Sequence, residues 1–253
     1  MQPFPVKAIM PLDRCESNVA LLNELPGKAP NRPLVTLMGD GNARSLDIRW
    51  NSPWTLIMVL VWAAASIGGF MWLSTFTNSP GQSGIVPREW PATSRLVLDS
   101  NRANLVLMVH PRCPCSRATI NELAEIMAQC ENAVAAHVLW LKPQSSSDGW
   151  EVTDLWHVAA AIPGVRMLTD DDGVEARQFG AVTSGQVALF DRQGHMVFHG
   201  GITVSRGHRG ENPGRAAVMD WLTKGTSSYS EFCVFGCPLF ADRGPAKNAK
   251  GTP

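Results

Sequence analysis

At 253 residues, with 22 basic and 22 acidic side chains, the chain has a formal net charge of zero. That balance excludes the basic footprint of a nucleic-acid-binding protein. Six cysteines are too few for a disulfide-dense scaffold of this length, and no phosphate loop, Ser-His-Asp arrangement or closed zinc signature occurs.

Residues 1–53 mix Pro, Gly, Asn and alternating charge, and are expected to form a mostly disordered tail with one short helix at Ser17–Leu25. Trp54–Phe76 contains no charged residue, is long enough to cross a bilayer, and carries Trp54 and Trp72 near its ends, where indoles favour the headgroup level. The segment starts some fifty residues from Met1, with its small residues, Ala63 to Ala65, in the middle, which fits an uncleaved transmembrane anchor better than a signal peptide. Arg44 and Arg49 precede the span and the first basic residue after it is Arg88, so the positive-inside bias puts the N-terminus in the cytosol. Cys15 then stays reduced, while everything after about Asn78 is expected to be periplasmic or otherwise extracytoplasmic, where disulfides persist.

Residues 77–94, rich in Pro, Gly and Ser, read as a linker, 95–224 as the globular domain and 225–253 as a cysteine-containing tail. Within the domain, Asn104–His110 is an apolar strand, Ser116–Gln129 a helix with Ile120, Leu123, Ile126 and Met127 on one face, and Ala133–Leu141 a second strand. Asp154–Ala161 reads as a helix, Val165–Leu168 as a short strand and Gly173–Phe179 as a short helix. Gln186–Phe190, a turn at Asp191–Gly194, and His195–His199 carry the pattern of a hairpin, and a last helix follows at Gly214–Leu222. This order predicts an α/β sandwich with one mixed sheet.

Cys113-Pro114-Cys115 lies between the first strand and the first domain helix, where a helix N-terminus favours thiolate over thiol. The arrangement resembles the thioredoxin-like superfamily, through Val106–Arg117 with its dithiol, Phe179-Gly180-Ala181-Val182, and Val187–Gly194. It looks most like the membrane-anchored, extracytoplasmic thiol-disulfide oxidoreductases, and more loosely like bacterial proteins labelled RedB. The family's usual Cys-x-x-Cys is replaced here by Cys-x-Cys, a spacing expected to strain a local bridge and to raise its reduction potential. Where the family usually carries a cis-proline, Thr183-Ser184-Gly185 places Gly185.

These residues point to a membrane-anchored oxidoreductase acting on extracytoplasmic protein thiols or disulfides, with Cys113 as nucleophile, Cys115 as resolving thiol and no cofactor. His110 and Arg112 are positioned in sequence to lower the thiolate pKa. Cys233 and Cys237 form a second pair, which shares one face if Ser230–Cys237 is helical. It serves as a second dithiol, a structural disulfide, or, together with Cys113 and Cys115, part of a Cu(I) site in an assembly factor, because thiolates select soft ions. A scaffold that has lost turnover is a third alternative. Cys130 is expected to be a buried small hydrophobe. The glycine-rich loop His199–Gly210 supplies His199 and His208 as potential ligands, or is a flexible turn.

Overall fold

The computed structural model describes residues 53–240; the expected Ser17–Leu25 helix, the N-terminal tail and Cys15 lie outside them. Helix α1 covers Pro53–Asn78. Its 26 residues extend about 39 Å at 1.5 Å per residue, and none is buried against the rest of the protein. It is the one helix among the described residues long and apolar enough to cross a membrane.

Among the described residues, six strands form one mixed sheet. They are β1 Ala103–Val109, β2 Val134–Lys142, β3 Val165–Asp171, β4 Gln186–Phe190, β5 Met196–Gly201 and β6 Glu231–Phe232, in the order β3-β2-β1-β4-β5-β6. Strands β1, β2 and β3 run parallel, whereas β4 is antiparallel to both β1 and β5. Helices α2 Ser116–Cys130, α3 Asp154–Ala160, α4 Val174–Gln178 and α5 Pro213–Lys224 complete the domain. This is the expected α/β sandwich with one mixed sheet, with the dithiol turn at the C-terminal end of the central strand β1. Strand β3 extends three residues beyond its predicted end because pairing with β2 continues as far as Lys142 and Asp171.

Every residue of β1 is buried, so its apolar run serves both faces of the sheet. Leu105, Leu107 and Val109 enter a core beneath α2, α3 and α5, while Val106 and Met108 face the opposite side. Among the described residues, that side has only the five residues of α4 as helical cover. Residues 77–94, expected as a spacer, help to cover it. Val86 is buried there, and Trp90 packs edge-on to Phe179 and Phe190 with ring centroids 5.0 and 5.2 Å away. Just beyond, buried Glu175 accepts hydrogen bonds from the Ser94 hydroxyl at 2.6 Å and the Arg95 N–H at 3.1 Å. A sheet apolar on both faces must be covered on both, which decides the matter against a free linker. We therefore expect Trp90→Ala to lower stability by about 2–3 kcal/mol, measured by chemical denaturation, and a fragment starting at Arg95 to be less stable than one starting at Pro80.

His137 on β2 is buried, and among the described residues its Nε2 has no hydrogen-bond partner. Burial, reinforced by Arg166 and Arg102 against the opposing effect of Asp99, lowers its pKa to about 4. The folded state thus favours the neutral ring and binds fewer protons than the unfolded chain. The resulting stability is present above about pH 6.5 and is lost as the pH falls towards 4, up to about 3 kcal/mol. Denaturation midpoints measured across that range should show an acid limb that His137→Leu lacks.

Candidate active site

Strand β1 ends at Val109 and α2 begins at Ser116, so Cys113 and Cys115 lie in the connecting turn, with Cys115 at the helix N-cap. Cys113 is 4% exposed and Cys115 half-buried. A third sulfur joins them. Cys237 Sγ lies 3.0 Å from Cys113 Sγ, across 124 residues of sequence, and the Cys113, Cys115 and Cys237 sulfurs all lie within 4.8 Å of one another.

Cys237 gets there because Ser230–Cys237 is not helical, so the condition for Cys233 and Cys237 to share one helix face is not met. Residues 231–232 add as an edge strand to β5, and an irregular strap then runs back over the dithiol turn. Gly236 and Pro238 disfavour helix, and the strap's backbone finds partners in other elements. Gly81 N–H donates to Val234 O at 2.7 Å, Ser184 N–H to Cys237 O at 2.8 Å, and Leu239 N–H to Val182 O at 2.8 Å, with Thr183 and Pro238 forming an antiparallel bridge. Cys233 is instead buried in the main core. It is outside the three-sulfur group, so the four-cysteine ligand set does not assemble as drawn from the sequence.

The loop expected to face the dithiol does so. Ser184 Oγ accepts the His110 N–H at 2.8 Å and lies 2.8 Å from Ser116 Oγ, tying the loop to the end of β1 and the start of α2. Gly185, where the resemblance led to proline, has φ +91° and donates its N–H to Met108 O at 2.7 Å. A proline could supply neither that φ nor that donor.

Burial alone would push the Cys113 pKa up. Hydrogen bonding from Cys237 and Ser116, and from the backbone at 237 and 115, outweighs burial and brings Cys113 below the ordinary thiol value. Burial first, then the contact with Cys113, push Cys237 up to about 12, with Arg206 opposing; burial and Cys113 also raise Cys115. The site thus favours ionisation of Cys113 over that of Cys115 and Cys237.

His110 and Arg112 do not have the role expected of them. Burial lowers the His110 pKa, and its Nδ1 accepts the Arg112 N–H at 3.2 Å. The Arg112 guanidinium lies over Trp150, 4.8 Å from the ring centroid. The basic group that does act on the site is Arg206, from the glycine-rich loop. It donates to Ser79 O at 3.2 Å and to Gly236 O, and lies over Phe76 at the end of α1. Nothing in the sequence marked it apart from its place in that loop. His199 is beside Glu231, 3.9 Å away, and His208 is exposed; neither joins the sulfurs. Cys130 is buried, 3.8 Å from Met219 Sδ.

No family model and no curated protein matches the sequence. Among solved structures, a hypothetical protein from Sinorhizobium meliloti is similar at 21% identity and TM-score 0.47, covering 66% of this chain and 96% of that one. A secreted Mycobacterium tuberculosis disulfide oxidoreductase is similar at 13% identity and TM-score 0.37, with 50% and 84% covered. The exposed lipoprotein thioredoxin Etrx1 of Streptococcus pneumoniae is similar at 14% identity and TM-score 0.37, with 49% and 86% covered.

Proposed function

We propose that this chain is a membrane-anchored, extracytoplasmic thiol-disulfide oxidoreductase, of the RedB-like kind, whose attacking group is the Cys113 thiolate. The observation that carries this reading is a sulfur of lowered pKa at a strand-to-helix turn, with two further thiols within 4.8 Å of it. A thiolate attacks a disulfide through a mixed disulfide, which a neighbouring thiol then resolves. Helix α1 supplies the anchor, with the N-terminus cytosolic, and protein thiols or disulfides outside the cytosol are the substrates.

A second reading also draws support from the site. Three convergent sulfurs suit Cu(I), with Cys113, Cys115 and Cys237 as the ligands. Full-length protein purified under reducing conditions separates the two. Disulfide exchange with insulin by metal-free protein supports the oxidoreductase. Stoichiometric copper on a protein that does not exchange supports a copper-binding assembly factor.

A further inference from the structure

Resting on the exchange reading above, the geometry raises the question of which thiol resolves the mixed disulfide on Cys113. Cys115 is two residues away across Pro114, whose ring fixes φ and stiffens the short loop a local bridge must close. A disulfide demands a torsion near 90° and a narrow range of Cα separations, so such a short, stiff connection meets these demands poorly. Cys237 has no such covalent tie to Cys113. Its sulfur is already 3.0 Å away, on a strap held by main-chain hydrogen bonds to Gly81, Val182 and Ser184.

We infer that Cys237 is the resolving thiol of Cys113, and that the oxidised protein carries a Cys113–Cys237 disulfide fastening the strap across the dithiol turn. In the first step the Cys113 thiolate displaces one sulfur of a partner disulfide. A Cys113–partner bond forms, the partner's own S–S bond breaks, and the expelled thiolate takes up a proton. In the second step Cys237 loses its proton to water and attacks Cys113 Sγ. The Cys113–Cys237 bond forms as the partner's remaining sulfur departs as thiolate. Two electrons have passed from the two cysteines to the partner, which leaves as a dithiol; an extracytoplasmic dithiol restores the reduced pair by the reverse exchange.

The electrostatics put these steps in order. While Cys113 is ionised, its charge and its hydrogen bond help to keep Cys237 protonated. Once Cys113 is in a mixed disulfide both influences are gone, and Arg206 still favours the Cys237 thiolate. Burial still raises the Cys237 pKa at that stage, but with the two Cys113 influences removed its thiol ionises more readily than in the reduced protein.

Trypsin cleavage at Arg112 and Arg117 leaves Cys113 and Cys115 on one short peptide, whereas Cys237 lies on another beyond Lys224. Reduced full-length protein is mixed with glutathione disulfide, quenched with acid, alkylated, digested without reductant and analysed by mass spectrometry. The expected product is a cross-link between the two peptides, with fragmentation assigning it to Cys113 and Cys237. Cys237→Ser should accumulate the Cys113–glutathione adduct at least about tenfold over wild type, whereas Cys115→Ser should not and should still form the cross-link. A bridge within the short peptide, with Cys115→Ser as the trapped variant, overturns the assignment and leaves the exchange reading intact. Wild-type protein that forms neither adduct nor bridge at Cys113 overturns both. The wild-type linkage is informative even if a variant fails to fold.

Discussion

Cys113→Ser is expected to reduce disulfide exchange to background in an insulin-reduction assay of the full-length protein. A serine hydroxyl stays protonated where the Cys113 thiol ionises, and without the attacking thiolate no mixed disulfide forms. The fold should tolerate the change, because the side chain remains small and its neighbours Cys237 and Ser116 keep a hydrogen-bonding partner. The pH dependence of the wild type provides a companion measurement. Since the Cys113 pKa lies below the ordinary thiol value of 9.0, alkylation of Cys113 should remain fast below that pH and slow only as the pH falls through the lowered value. Unchanged exchange in Cys113→Ser would place the chemistry elsewhere.

Gly236→Ala should open the site. A Cβ at residue 236 would lie 1.8 Å from the Ser184 carbonyl oxygen, a backbone atom that cannot swing aside as a side chain would. The strap must lift, carrying Cys237 away from Cys113 and breaking the bridge between Thr183 and Pro238. The core beneath does not depend on this contact, so the domain is expected to fold. Cys113, at 4% exposure in the intact protein, should then react with a thiol reagent about tenfold faster or more, since a loss of only ~1.4 kcal/mol from the strap changes its open fraction tenfold. An unchanged alkylation rate would show that the strap does not control access to Cys113.

The elements that are legible in the sequence are those whose signals are local. The alternation of apolar strands and an amphipathic α2 is written within windows of a dozen residues, and so is the hairpin turn at Asp191–Gly194. Pro53–Asn78 declares itself by the absence of charge. The covering role of the expected spacer went unrecognised because Val86 and Trp90 are scattered among Pro, Gly and Ser. Only the apolar second face of the sheet explains why Val86 is buried and Trp90 packs there. The shared face considered for Cys233 and Cys237 was conditional on a helix at Ser230–Cys237, and β5 pairs with the backbone of residues 231–232 instead.

For the site, the sequence by itself determined that two thiols stand at a strand-to-helix turn, because neighbours in sequence are neighbours in space whatever the fold does. It also showed that a second cysteine pair follows the last helix. Only the tertiary structure decided that Cys237 meets Cys113 while Cys233 enters the core, and that Arg206, not His110 or Arg112, is the basic group acting on Cys115 and Cys237. A contact closed over 124 residues leaves no periodicity to read. It comes from a strap whose path is set by main-chain hydrogen bonds to Gly81, Val182 and Ser184, and these depend on which backbone groups the finished sheet leaves unpaired.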